Sequence, residues 1–371
     1  MRRFTYFLYE NFDADREADH PGNPRRVLND SANAILSHIA DFPPLTCPAA
    51  QLREEFGQSA VERLTAAGAL RDENGHIAYD TPVFLAEDVP ALQAFFTSAA
   101  SPLADRLWAN REELWTAAGA IQNGFDAKTN LYHILCGMIF DGCFFDWLSQ
   151  REAVAVSRPH TSGLDYLSVI YEDREGLRRF SDGILCSYNR LTDGETSLQS
   201  FGDADGDRFD LYRCFRLRES GPLPERFQEA GILLDKLPKG EEKQIILQKT
   251  RSLLQGKSCQ ADCLAILHLF GYAENGKICV PVFTQEAAPA IEHLAALVEN
   301  CLYTAVEHTL LDAQKTLDLT AVRHGVPAKE IANELYHVLF GGVNEELTKR
   351  GLVSAPPHIP GEGRYLKCIE W

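Results

Sequence analysis

Four histidines stand where side chains of this type could do chemistry. His133 and His337 each follow a tyrosine, and His160 and His358 each follow a proline. Imidazole titrates near neutral pH and readily ligates metals, so each pair fits acid–base catalysis or a metal site. The alternative is structural, with His133 and His337 bridging the packing between a helix and a strand. The chain has no C-x2-C pair and no H-E-x-x-H motif, so we expect no metal and no cofactor.

The overall charge limits which partners the chain can bind. Its 36 basic and 53 acidic residues give a net charge of −17, which on average repels phosphate backbones. A Gly256-Lys257-Ser258 triplet resembles the end of a P-loop, but Arg251 stands where the leading glycine is needed. Nucleotide binding at that loop is therefore excluded, and nucleic-acid binding would need a local basic patch.

The histidines belong to a set of short blocks that occur twice in the same order. Matching blocks lie 198 to 204 residues apart, at Glu73–Ile77 and Glu274–Ile278, Pro82–Phe84 and Pro281–Phe283, Leu131–His133 and Leu335–His337, Pro159–His160 and Pro357–His358, and Tyr166–Ile170 and Tyr365–Ile369. This repetition predicts two homologous halves, 1–172 and 207–371, joined by a connector at 173–206. The connector is either a linker or a hairpin added to the second half. Two such halves in one chain form a covalent pseudo-dimer with an approximate two-fold axis.

Local patterns in the first half predict an ordered series of small elements. Apolar spacing indicates helices at 26–40, 48–56 and 60–67. The Asn74-Gly75 pair between short apolar runs predicts a β-hairpin. Long helices follow, one of them starting at Pro102, and then a terminal strand. The predicted fold class is therefore mainly α with small β (α+β).

Helix, short helix, turn, helix and hairpin in this order resembles the winged helix-turn-helix domain. The resemblance covers about residues 26–86. The segments that match the usual pattern of the family are Leu52–Gly57 followed by Ala66–Leu70. A degenerate second module is expected at about 241–283, with its first helix at 241–254, its last helix at 259–270 and its middle helix missing or reduced.

The resemblance implies a transcriptional regulator of bacterial type that contacts DNA through a helix and a wing. The helix would be 59–68 and the wing 71–84. The candidate DNA-binding residues are Gln58, Ser59, Arg63 and Arg71.

Two other classes of function stay open. The net negative charge of the chain argues against DNA binding. The module could instead make protein–protein contacts without binding DNA. A histidine- or metal-dependent enzyme is the third hypothesis. The sequence is compatible with a homodimer and names no small-molecule ligand.

The sequence also predicts a cytoplasmic protein that does not enter a membrane. The apolar run from Ile134 to Phe140 ends at Asp141 and is too short to cross a bilayer. Several of the ten cysteines lie inside apolar runs, as expected of buried reduced thiols.

Overall fold

A computed structural model describes residues 2–10, 20, 22–28, 30–172, 184–203, 208–257 and 260–371. It is 55% helix and 17% strand, which confirms the mainly α class with small β. The chain divides into two compact units. Unit 1 comprises Met1–Pro102, Phe145–Ser181 and Tyr303–Leu339, and unit 2 comprises Leu103–Phe144, Asp182–Leu302 and Phe340–Trp371.

The strands are short and lie in both units. Those of unit 1 are β1 (Phe4–Glu10), β2 (Cys47–Pro48), β3 (Leu70–Glu73), β4 (His76–Tyr79), β5 (Val83–Phe84), β6 (Arg158–Pro159) and β7 (Asp165–Glu172). Those of unit 2 are β8 (Leu185–Thr192), β9 (Ser197–Asp203), β10 (Ala273–Glu274), β11 (Lys277–Ile278), β12 (Val282–Phe283), β13 (His358–Ile359) and β14 (Gly363–Glu370).

Helices make up most of the remaining described chain. In chain order they are α1 (Pro24–Val27), α2 (Asp30–Ile39), α3 (Ala49–Phe56), α4 (Gln58–Ala66), α5 (Val89–Ala109), α6 (Arg111–Gly119), α7 (Ala127–Leu131), a π-helix (Tyr132–Cys143), α8 (Phe144–Gln150), α9 (Leu211–Ser220), α10 (Gln228–Leu234), α11 (Glu242–Leu254), α12 (Ala261–Leu269), α13 (Ala288–Thr316), α14 (Thr320–Arg323) and α15 (Ala328–Arg350).

In unit 1, helices α2 to α4 and a three-stranded sheet share one core. Helix α3 ends and α4 begins at Gly57, whose φ of +87° allows the sharp turn between them. Strands β2, β4 and β3 form an antiparallel sheet in that order. Asn74 and Gly75 both have positive φ, +55° and +85°, as a two-residue type I′ hairpin requires. The predicted third helix and hairpin are therefore present.

A second sheet of unit 1 joins strands that are far apart in sequence. Strand β7 pairs antiparallel with β1 and parallel with β5, so that Tyr6 and Val83 both lie beside Ile170. Strand β6 adds an antiparallel pair to β7. The expected wing at 71–84 is thus too long: the hairpin ends at Tyr79, and Phe84 belongs to this second sheet.

In unit 2, helices α10 to α12 and the hairpin of β10 and β11 share a separate core. It includes Phe227 and Leu234 beside Ile246, Ile266 and Tyr272. The helix expected to be the first of the second module, 241–254, is α11, and α10 precedes it. Among the described residues no helix lies between α11 and α12, and the additional short helix α10 stands before α11 in the chain.

The large sheet of unit 2 has the order β12, β14, β9 and β8, with β13 beside β14. Here β14 pairs antiparallel with β9 and parallel with β12, so that Leu198 and Val282 both lie beside Ile369. Within the stretch 173–206, for which a linker or a hairpin was expected, β8 and β9 form an antiparallel hairpin in this sheet. Residues 173–183 and 204–206 of that stretch lie outside the described residues.

Two predicted helices differ from the structure. The helix expected at 26–40 is divided into α1 and α2. The helix expected to start at Pro102 begins at Val89, with Pro102 inside it.

Among the described residues, one helical segment is long and apolar enough to span a membrane. This segment, Ala127–Gln150, has two thirds of its most apolar window buried inside the protein. Burial of this kind is typical of a core helix.

Candidate functional site

Helix α4 presents three of the predicted site residues on one exposed surface. Val61 and Leu64 anchor the helix in the core, whereas Gln58, Ser59 and Arg63 are exposed. Arg63 Nη1 donates to Ser59 Oγ at 3.0 Å. This contact lies along the helix and leaves its outer surface open to solvent.

Arg71 does not join that exposed set. Its Nη1 donates to the carbonyl of Tyr79 at 2.6 Å, and its Nη2 donates to the carbonyl of His324. Glu73 and Asp80 provide ion pairs at 3.3 and 3.5 Å. The half-buried guanidinium is thus occupied inside unit 1, and a phosphate contact by Arg71 would require these bonds to break.

The surface formed by α3, α4 and the β3–β4 hairpin, residues 49–79, is acidic. We call it the recognition face. It carries three arginines and no lysine, against five exposed carboxylates: Glu54, Glu55, Glu62, Asp72 and Glu73. Arg53 Nη2 binds Asp72 Oδ2 at 2.6 Å, and this hydrogen bond lowers the pKa of Asp72. Two of the three arginines are therefore engaged by acidic groups, and the net charge of the face is negative.

His133 is a core residue of unit 2. Its ring lies edge-on to Tyr132 and Phe283, and its Nε2 is buried without a hydrogen-bond partner among the described residues. Burial lowers the pKa of His133 to about 3. A neutral, enclosed imidazole of this kind supports the structural interpretation of the sequence pattern.

His337 lies instead in a buried polar network of unit 1 that the sequence did not predict. Its Nδ1 lies 2.9 Å from the carbonyl of Asn333 and 3.4 Å from the hydroxyl of Tyr9. Tyr9 donates to Glu334 at 3.3 Å, and Tyr171 donates to the same carboxylate. The i, i+3 spacing of Glu334 and His337 on α15 was the signal that could have pointed to it.

The two proline-linked histidines occupy unlike positions. His160 stacks on Tyr166 with ring centroids 3.9 Å apart, and burial lowers its pKa. His358 is exposed and lies opposite Arg364 in the sheet of unit 2. The residue that takes the corresponding position in unit 1 is Pro159, which lies opposite Asp165. The matching Pro-His blocks thus place their histidines one register position apart.

The predicted histidines do not assemble into one site. Within the described part of the chain, no group of three histidine, cysteine, aspartate or glutamate side chains could hold a metal ion.

Comparison with known proteins adds no assignment. No family model, curated protein or solved structure matches the chain.

Proposed function

We propose that residues 30–79 form a winged-helix module. The supporting observation is the order of its elements: α2, β2, α3, α4 and then the β3–β4 hairpin. Strand β2 lies beside β4, so the hairpin extends as a wing from the three-helix core. The predicted function is built on this module.

We also propose that the chain carries two copies of one ancestral unit. The sheets support this, because β7 and β14 each have one antiparallel and one parallel neighbour. The parallel pairs Val83–Ile170 and Val282–Ile369 match, at a spacing of 199 residues. Helices α10 to α12 and the β10–β11 hairpin correspond to the module of the first copy.

The recognition face of the first copy binds a basic protein surface in this proposal. The carrying observation is the excess of exposed carboxylates on that face, with Arg53 and Arg71 held by acidic partners. A DNA-binding face needs several cations free to contact phosphates, because those contacts supply most of the affinity. Lysines and arginines of a protein partner would complement the same carboxylates.

A lysine-rich peptide of about 20 residues is the probe that tests this proposal. We expect fluorescence anisotropy to show salt-sensitive binding, weakened about tenfold by the triple substitution Glu54→Gln, Glu55→Gln and Glu62→Gln. The control removes three carboxylates elsewhere, with Glu286→Gln, Glu292→Gln and Glu299→Gln. Equal weakening in both triple variants would show only the general attraction of an acidic protein, and would overturn the proposed face.

DNA binding is the second candidate, because α4 exposes Gln58, Ser59 and Arg63 together. Side chains of these types can contact bases and phosphates when a helix enters the major groove. Random duplex DNA of about 20 base pairs, titrated at low salt, separates the two candidates. Binding that is lost in Arg63→Gln would establish the DNA-binding alternative and reject the protein-binding proposal.

A further inference from the structure

A cavity of about 570 Å³ opens within unit 2 beside the end of the π-helix. Its volume lies within the range of small-molecule sites. The walls come from the π-helix, β8, β14, α9 and α13, and include Met138, Asp141, Tyr188, Arg190, Tyr212 and Glu370. The recognition face contributes nothing to it, and the cavity lies in the other unit.

The strand register explains why charged side chains collect here. Arg190 lies opposite Gln199, and Gln199 lies opposite Cys368. Residues that face each other across strands project on the same side of the sheet, as do residues two apart. Tyr188, Arg190 and Glu370 therefore share one side, and they line the cavity together.

The π-helix packs against this side of the sheet around Gly137, and its last residues line the cavity. Gly137 of the π-helix faces the sheet, and a Cβ there would lie 3.4 Å from Tyr188. Gly142 has φ −124° and ψ −110° and interrupts the helix. Such local departures from α-helix are frequent at functional sites. Asp141 and Gly142, at this interruption, line the cavity.

The charged groups of the cavity are positioned in different ways. The guanidinium of Arg190 is exposed and forms no hydrogen bond or ion pair with any residue that the structure describes. Glu370 Oε2 accepts from Gln199 Nε2 at 2.7 Å, and the fully buried Gln199 is itself bound by the Cys368 thiol at 3.2 Å. The buried amide of Gln199 on β9 thus orients the carboxylate of Glu370 on β14, and the solvent-facing cation of Arg190 lies on β8, on the other side of β9.

We propose that this cavity binds a cationic amino acid. Its carboxylate pairs with Arg190, and its two positive groups pair with Asp141 and Glu370. The methylene chain lies against Tyr188 and Met138. Two carboxylates and one guanidinium complement a ligand with two positive charges and one negative charge, and charge-assisted hydrogen bonds of this kind are the strong ones.

The test is calorimetric titration of the full chain with L-arginine and L-lysine. We expect saturable binding, weakened about tenfold or more by Arg190→Gln, Asp141→Asn or Glu370→Gln, because each removes one charge-assisted bond. Matched controls in the same unit are Arg106→Gln and Glu286→Gln, which change exposed charges outside the cavity and should leave the affinity unchanged.

Ligand analogues supply an independent check on each contact. Agmatine lacks the carboxylate, so it should bind more weakly than arginine and be insensitive to Arg190→Gln. Citrulline keeps the carboxylate but lacks the side-chain charge, and it should also bind weakly. Absence of binding by arginine and lysine at about 10 mM would overturn the proposal. Equal loss in the control variants, or equal affinity for citrulline, would overturn it as well.

Discussion

Arg158 forms an ion pair with Glu330 across 172 residues of sequence, with Nη1 lying 3.1 Å from Oε1. The Nη2 of the same guanidinium donates to the carbonyl of Gly68 at 2.8 Å and to Asp80 at 3.0 Å. Glu330 is almost completely buried, and this burial raises its pKa to about 7 against the attraction of Arg158. Unit 1 thus holds a carboxyl group that titrates near neutral pH.

Substitution of Glu330 by glutamine should change how stability depends on pH. The native pKa of about 7 exceeds the ordinary value of 4.5, so the native state binds more protons between these values. The stabilisation from Glu330 is therefore complete below pH 4.5 and decreases as the pH rises through 7. We expect urea unfolding to show the wild type losing about 3 kcal/mol relative to Glu330→Gln over this range. A difference between the two proteins that stays constant with pH would contradict this, and the exposed Glu286→Gln serves as the control.

Substitution of His133 by leucine should reduce sensitivity to acid. The native pKa of about 3 lies below the ordinary 6.5, so the stabilisation from a neutral His133 is complete above pH 6.5 and is lost as the pH falls. At pH 4.5 the wild type should have lost about 3 kcal/mol of unfolding free energy to this group, and the variant none of it.

Chemical denaturation at pH 7.5 and 4.5 measures this effect. At pH 7.5 we expect little destabilisation, since leucine leaves no unpaired nitrogen in the core. The exposed His358→Leu is the matched control and should keep the acid sensitivity of the wild type. Equal pH dependence in all three proteins would refute the assignment of His133.

Two glycine substitutions separate backbone strain from packing. Gly68 and Gly75 have φ of +64° and +85°, so alanine at either position costs about 1 kcal/mol. A Cβ on Gly68 would also lie 2.3 Å from His160, whereas a Cβ on Gly75 would meet nothing within 4 Å. We expect Gly68→Ala to lower the unfolding free energy by about 1 to 3 kcal/mol more than Gly75→Ala. Equal losses would show that His160 is not held against Gly68.

The first half of the chain should not fold alone. Unit 1 includes Tyr303–Leu339, and Glu334 and His337 of that segment contact Tyr9. A fragment of residues 1–172 lacks the segment Tyr303–Leu339. The apolar surface of unit 1 that this segment covers is then exposed to solvent. We expect aggregation or loss of cooperative unfolding, with solubility restored by co-expression of 173–371. A monomeric fragment with cooperative unfolding in circular dichroism would contradict this expectation.

Local sequence signals were sufficient for the elements that form without distant partners. Asn74-Gly75 predicted its hairpin because both residues readily adopt positive φ. Apolar spacing and a bounding glycine likewise predicted α3 and α4, since a helix satisfies its hydrogen bonds within its own segment. The mainly α class follows from the same signals.

Strand pairing and the convergence of side chains were decided only by the tertiary structure. Phe84 continues the predicted wing in sequence, yet β5 pairs with β7, more than 80 residues away. Arg190 and Glu370 meet at one cavity because β9 pairs with both of their strands. A strand leaves its hydrogen bonds open to any partner, and the choice depends on burying whole faces of the sheet, which no local window of sequence contains.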